Sequence, residues 1–361
     1  AAERSHMKRA SRKSSDQVQA QLPLSPILKR QPDQDAAKAW APLKPTPVLD
    51  VYWQFAVERQ EIFFRRLSKQ PPPWTQDPIL REHKFTNAYR ASDRVSQYLI
   101  RNVIYHGRSE PEELFFRIIL FKFFNKVETW ELLQNSLGEL TWRDFSFIKF
   151  DSVLSKAMSE GERIYSAAYI MPTGGRGTSF DRKHRLHLSL LEKMLCDDLP
   201  SQIQKSGTMG QAFDLLRSYA TIGDFLAYQY ITDLNYSELV NFTEMEFAVA
   251  GPGAKDGISK CFSDTAGLSE TEVIRLMAER QEEEFSRLGL QFQSLWGRRL
   301  QLIDCQNLFC EVSKYSRVSH PEFVGISGRT RIKQKFQPHA QPLLPWYPPK
   351  WGINLFTQHP D

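Results

Sequence analysis

The sequence predicts an all-α, multi-helix domain behind a disordered N-terminal tail, and three observations carry that reading. Nearly every apolar block repeats its apolar residues at three- and four-residue steps, the period of a helix face. The chain of 361 residues is 41% hydrophobic and 12% aromatic, enough to close a sizeable core in one large domain or two ordinary ones. Residues 1–47 depart from this pattern. They are basic, Ser-rich and then Pro-rich, with too few apolar side chains to offset the entropy of ordering.

The tail ends at residue 47 in this reading, and residues 1–6, AAERSH, read as an appended remnant ahead of Met7. The helical domain runs from 48 to 335. VLDVYWQFAVERQEIFFRRL places Val51, Trp53, Phe55, Ile62 and Phe63 at helical spacing, and the prolines of QPPPWTQDPI then forbid helix. FTNAYRASDRVSQYLIRNVIY is expected to resume helix, with Asp93 and Arg94 inside it. PEELFFRIILFKFFNKVETWELLQ opens on Pro111 and two glutamates, a good helix start, and its aromatic density marks central core. A helix stopped at Gly161, a glycine-rich loop around Gly174, and the helices HRLHLSLLEKML and QAFDLLRSY follow. SETEVIRLMAERQEEEFSRLGL begins with Ser269 and a glutamate three residues on, the capping-box pattern. DCQNLFCEVSKYSR is the last confident helix, GISGRTRIKQKF is basic and loop-like, and the Pro- and aromatic-rich extension 336–361 is expected to wrap the surface.

A net charge of +5 permits a nucleic-acid partner without demanding one. Cys196, Cys261, Cys305 and Cys310 fall in no CxxC pair and no Cys/His cluster, which suits reduced thiols in an intracellular protein. The basic pairs Lys8-Arg9 and Arg12-Lys13 would serve a nuclear address. No apolar run reaches the roughly 18 residues that a membrane span needs, so no membrane partner is expected. His184 and His187 lack a third ligand nearby, and no metal or other cofactor is expected. A P-loop would read GxxxxGK(S/T). GGRGTSF has the glycines without that lysine, though its backbone amides and Arg176 could meet phosphates.

The most suggestive stretch is Leu215–Ile258. A helix turns at Ile222-Gly223-Asp224 and resumes as FLAYQYITDL, like the second half of a helix-hairpin-helix, in which a tight glycine turn and a helix N-terminus aim backbone amides at a DNA phosphate. In DNA glycosylases of helix-hairpin-helix type an acidic catalytic residue follows the hairpin at a set distance, and Glu244 and Glu246 fall in that window. A carboxylate there can stabilise charge developing on the sugar or act as a general base. Asp233 is a lesser candidate that could equally cap a turn. AGPGAKDG, with Gly251, Gly253 and Lys255, reads as a turn made for close approach to a ligand. Asp304, Asn307, Glu311 and Lys314 share one face of the DCQNLFCEVSKYSR helix, either solvated or lining a pocket.

Several blocks taken together resemble a known family: VYWQFAVERQEIFFRR, TQDPIL, FTNAYRASDR, FRIILFKFFN, YSAAYI, IGDFLAYQYITDLNY, EFAVAGPGAKDGI and FCEVSKYSR. In this order they are similar to the helical domain of 5-hydroxymethyl-deoxyuridine DNA kinases and to the related α-glutamyl/putrescinyl thymine pyrophosphorylases. The resemblance covers Val51 to Lys335 and implies a DNA-glycosylase-like helical fold acting on, or binding, a modified thymine or uracil in double-stranded DNA, with RNA left open. The first hypothesis is a base flipped into a pocket lined by aromatic residues such as Tyr169, Phe225 and Tyr228, with Asn307, Glu311 and Lys314 as polar candidates. Glu246 or Glu244 would supply the chemistry, and Arg59, Asn87, Arg90, Arg117 and Asp224 would supply polar contacts to base or backbone. The FLAY segment holds no lysine for a Schiff base, so base removal would be monofunctional and water-using. A non-catalytic DNA or RNA reader and a helical scaffold are the alternatives.

Overall fold

The structure, a computed structural model, describes residues 34–168, 171–172, 181–338 and 343–357. Among these it is mostly helical, with a single two-stranded sheet. The helices are α1 (Gln34–Ala39), α2 (Pro47–Leu67), α3 (Pro78–Glu82), α4 (Arg94–Tyr98), α5 (Pro111–Phe124), α6 (Val127–Leu137), α7 (Phe147–Ser159) and α8 (Lys183–Cys196). They continue as α9 (Leu199–Gln204), α10 (Met209–Arg217), α11 (Asp224–Leu234), α12 (Pro252–Cys261), α13 (Glu270–Arg287), α14 (Leu302–Ser319) and α15 (Asn354–Thr357). No helix among the described residues is long and apolar enough to cross a membrane.

Local chemistry sets the starts of the principal helices. Thr46 caps α2 by accepting from the Val48 amide at 3.2 Å, and Pro47 occupies the first helical position. Ser269 and Glu272 form the capping box that the sequence predicts at the head of α13. Pro111 opens α5, and every residue of that helix after Glu112 is buried. Around α5 gather α8, α9 and α11, with α10 on α11 and α7 on α8. A second group forms where α14 packs on α2, α12 and α13.

Three boundaries differ from the sequence reading. Residues 34–47, assigned to the tail, are folded. Trp40 is buried against Phe262, Arg280 lies over its ring, and Lys44–Pro45 (β1) pairs antiparallel with Phe262–Asp264 (β2). One tryptophan gives that short segment the apolar area that its composition otherwise lacks. The described part of the C-terminal extension lies partly on the surface, with Leu344, Leu355 and Phe356 exposed, but Tyr347 and Ile353 reach into the core. Tyr347 is buried with its hydroxyl 2.8 Å from that of Ser92, and Lys350 donates to the carbonyls of Ser237 and Val240 at 2.7 Å each. The helix expected across Asp93 begins only at Arg94. The Asn87 amide and side chain bond to Asp93 and to the Ser92 carbonyl, giving the backbone partners that compete with helix.

The GPGA segment is not a turn. Gly251 is the N-cap of α12 and Pro252 its first residue, so Gly253 and Gly257 lie within the helix. Their lack of a side chain serves the crossing with α14. A Cβ on Gly257 would sit 2.1 Å from the Phe309 carbonyl oxygen, and one on Gly253 would sit 2.9 Å from the Cys310 sulfur. Two glycines four apart leave a flat helix face against which the other backbone can lie.

Candidate functional site

Two polar clusters emerge, and they sort the residues that the sequence singles out. The first is sealed. Arg90, in the short 3₁₀ turn before α4, reaches Asp233 of α11 through two bonds, 2.7 and 3.0 Å long, and Gln229 through a third at 3.0 Å. Lys122 of α5 approaches the same carboxylate at 3.2 Å and donates to Asn125 at 2.9 Å. All of these side chains are buried. Burial alone would raise the Asp233 carboxyl, but Arg90 and Lys122 outweigh it and hold it below the ordinary range. Burial pushes the Lys122 ammonium down to about 8, with Asp233 opposing and Arg90 assisting. Asp233 and Arg90 thus spend their charge on each other.

The second cluster opens to the surface between α2, the segment 85–93 and α14. Arg59 of α2 donates through Nε to the Thr86 carbonyl at 2.8 Å and through Nη2 to Asn87 Oδ1 at 3.0 Å. The Thr86 amide donates to Glu311 Oε2 at 2.9 Å, and Lys314 donates to the same oxygen at 2.8 Å while lying over the Phe85 ring. Asp93 Oδ1 accepts from the Asn87 amide at 2.7 Å. Asn307 lies one helical turn before Glu311 on the same face of α14. Burial pushes the Asp93 carboxyl up to about 7 and the nearby Glu311 adds to it, against the Asn87 amide, Arg59 and Arg90. Asp93 keeps some exposed surface, so water reaching it relieves part of that burden. Burial also brings the Arg59 guanidinium down to about 10, which leaves it charged at neutral pH.

Several polar atoms here are uncommitted among the described residues. Asp93 Oδ2, Glu311 Oε1 and the Asn307 amide take no hydrogen bond, and the Thr86 hydroxyl is buried with no partner. Arg59, Asn87, Asn307, Glu311 and Lys314 are thus brought together as the sequence reading grouped them in part. Asp93, Thr86 and Phe85 are additions. The signal that could have found them is the polar sequence FTNAYRASD, whose Asn and Asp disfavour the helix assigned to it.

The remaining candidates lie elsewhere. Glu244 is buried and ion-paired with Arg298, whose guanidinium stacks on Trp351 at 3.7 Å from the ring centre. Glu246 is exposed, and its Oε1 accepts from the Met209 amide at 3.0 Å, at the head of α10. Arg275 pins that loop by donating to the carbonyls of Met245 and Glu246. Gly223 is the exposed N-cap of α11, with negative φ and open space around it, so neither strain nor crowding explains its glycine. Asp224 beside it pairs with Arg217. Arg117 is buried and donates to the carbonyls of Val103, Ile104 and Arg108. Phe225 packs beside Gly251, Tyr228 is buried edge-on to Phe247, and Lys255 is exposed on α12. Tyr169 and Arg176 lie outside the described residues. A cavity of about 280 Å³ lined by Ser136, Thr141, Asp144 and Lys149 includes none of these residues. No group of metal-ligating side chains forms among the described residues.

A model of the family described as "5-hmdU DNA kinase, helical domain" matches residues 46–325. The chain belongs to this family. Over 284 residues it is 26% identical to the 5-hmdU DNA kinase of Bacillus phage SP10, an alignment taking in 74% of this chain and 44% of the phage protein. The chain therefore spans less than half the length of that relative. No solved structure matches it. The matched span contains both clusters.

Proposed function

We propose that this chain binds DNA and takes a pyrimidine bearing a 5-hydroxymethyl group, turned out of the base stack, against the cluster of Arg59, Thr86, Asp93, Asn307, Glu311 and Lys314. The observation that carries this reading is the set of four uncommitted polar atoms on the segment 85–93 and the facing turn of α14, the Thr86 hydroxyl being the buried one among them. A 5-hydroxymethyluracil ring offers carbonyl acceptors, one ring N–H and a hydroxyl, and those four atoms with the Lys314 ammonium supply complementary donors and acceptors. Two cations balance two carboxylates there, so the cluster suits a neutral polar base better than a phosphate. The relative named for action on 5-hmdU supports the choice of base. Asp93, with its carboxyl near neutrality, is the group to hold or take the hydroxymethyl proton. In this reading the α10–α11 hairpin is a helix-hairpin-helix element of a glycosylase-like fold, and its uncapped α11 N-terminus contacts the DNA backbone.

The test is a pair of titrations by fluorescence anisotropy, on duplexes that differ only in one 5-hydroxymethyluracil or thymine. The modified duplex binds more tightly, and Asn307→Ala removes roughly 1–3 kcal/mol of that preference, as loss of one base-edge contact does. Equal binding of the two duplexes by the unsubstituted chain overturns the reading. Mass spectrometry of the modified strand after incubation, with and without a nucleoside triphosphate, separates recognition from bond-making.

A further inference from the structure

The segment Arg329–Lys335 has no part in the cluster, yet it leads to it. Its cations recur at every second residue: Arg329, Arg331, Lys333 and Lys335. In extended chain, alternate side chains share a face, about 6.6 Å apart. Ile332 is buried between exposed Arg331 and exposed Lys333, while Thr330 and Gln334 are exposed as well. The segment is held in place along its length. The Lys84 amide donates to the Gln334 carbonyl at 3.0 Å, the Phe336 amide to the Glu82 carbonyl at 2.9 Å, and Arg317 to the Arg331 carbonyl at 3.1 Å. Upstream, Asp256 of α12 accepts from the Ser327 amide at 2.7 Å.

These anchors fix where the cations stand. Residues 82–84 run directly into Phe85, Thr86 and Asn87 of the cluster, and Arg317 follows Lys314 by three residues on α14. Lys335 pairs with Glu82, whereas Arg329, Arg331, Lys333 and Lys84 take no ion pair among the described residues. Burial lowers the Arg317 guanidinium, the Asp256 carboxylate opposes that, and the neighbouring Arg329 charge lowers it again. Positive charge on a fixed backbone, with these four cations in no ion pair among the described residues, selects a polyanion.

We infer that Arg329, Arg331 and Lys333, with Lys84 and Arg317, form a rail for successive phosphates of a DNA strand and guide it to the polar cluster. The inference rests on the reading that the partner is DNA. Cations at alternate residues suit a linear run of phosphates, and the anchoring of the segment beside residues 82–84 gives the rail a direction. Exposed Val318, Val324 and Ile326 lie in the same region, and a basic surface with apolar neighbours could also meet an anionic membrane. The period-two alignment favours the strand, because a membrane surface imposes no such register.

The experiment compares the full chain with the triple variant Arg329→Gln/Arg331→Gln/Lys333→Gln, all at exposed positions, after matched thermal melts confirm the fold. Affinity for duplexes with and without 5-hydroxymethyluracil is measured across a salt series. The variant's slope of log K against log salt falls by about 2–3, near 0.9 for each lost phosphate contact, while the preference for the modified base persists. A variant carrying Lys156→Gln and Lys193→Gln, on α7 and α8, keeps the full slope. An unchanged slope in the triple variant overturns the rail, as does salt-insensitive binding by the unsubstituted chain. Binding to phosphatidylserine vesicles that the triple substitution abolishes while DNA binding stays intact also overturns it, in favour of a membrane. If the slope falls but neither duplex is preferred, the rail stands and the base reading fails. Single-stranded DNA and RNA arms report which phosphodiester polymer it takes.

Discussion

The sealed and the open clusters contain similar groups arranged to opposite ends. In the sealed one, Arg90 and Lys122 meet a single carboxylate whose two oxygens are both taken, and no member reaches water. In the open one, Lys314 bonds Glu311 and Arg59 bonds Asn87 and backbone carbonyls, Asp93 and Glu311 each keep an oxygen free of protein bonds, and Thr86, Asn87, Asp93, Glu311 and Lys314 are partly exposed. The first arrangement resists any change of partner, because breaking a buried pair strands a charge. The second leaves capacity for a ligand and lifts Asp93 into the range where protons move. Charged residues in a sequence therefore do not announce function by type. Asp233 and Asp93 are told apart by how many of their lone pairs the fold has already spent.

The harshest way to break this comparison is Arg90→Met, which leaves Asp233 with Lys122 alone. A loss of about 3–5 kcal/mol is expected in urea unfolding, the usual cost of stranding a buried charge. Arg90→Met combined with Asp233→Leu recovers much of that loss. Lys122, already down to about 8, can shed its proton once its carboxylate is gone. A loss below 1 kcal/mol for the single variant would falsify the sealed description.

Next in size is Gly257→Ala. The added methyl meets the Phe309 carbonyl oxygen, which belongs to helix backbone and cannot swing aside, so α12 and α14 must separate. Overpacking of this kind costs roughly 1–3 kcal/mol. Gly253→Ala costs less, since its nearest neighbour is the Cys310 side chain. Equal melts for the two variants would show that the crossing is looser than drawn.

These residues also mark how far the sequence can be read. Helical class, the α13 capping box, the central place of α5 and the shared face of α14 follow from periodicity and end chemistry, which are local. The family was legible from the order of blocks. The role of GPGA was not, because a glycine kept for a helix crossing and one kept for a turn look alike until the partner backbone is known. The tail boundary failed for a related reason: Trp40 is isolated in sequence, and its pocket comes from residues more than two hundred positions away. In the site, Arg59, Asn87, Asn307, Glu311 and Lys314 were legible as polar candidates. Their separation from Arg90 and Asp233 was not, since burial depth is a tertiary property.

Asp93 gives a subtler contrast. Its carboxyl is raised to about 7 in the fold and stands near 3.9 when unfolded, so the native state binds the extra proton between those values. The stability this group contributes is fully present below about pH 4 and is lost as pH rises through about 7. Asp93→Asn keeps the acceptor for the Asn87 amide and removes the titration. The variant is therefore expected to gain on the parent chain between pH 5 and pH 8, as measured by paired urea unfolding curves. Asp233→Asn should show no such gain, because its carboxyl is held low and already ionised across that range. A pH-independent difference for Asp93→Asn would place its carboxyl in ordinary solvent and remove the ground for a proton-handling role.

The smallest expected effect on the fold is the sharpest on chemistry. Glu246 is exposed, and its contribution to the protein is one bond to the Met209 amide at the start of α10. Glu246→Gln keeps an acceptor there and gives up only the charge at a helix N-terminus, worth about 0.3–1 kcal/mol. The fold barely registers the change, so any loss of turnover on a 5-hydroxymethyluracil duplex belongs to Glu246 itself. If the proposed recognition of the base extends to bond-making on it, turnover followed by mass spectrometry survives Glu246→Gln and drops with Asp93→Asn. The reverse result would return the chemistry to the loop before α12 and leave the open cluster as a contact surface.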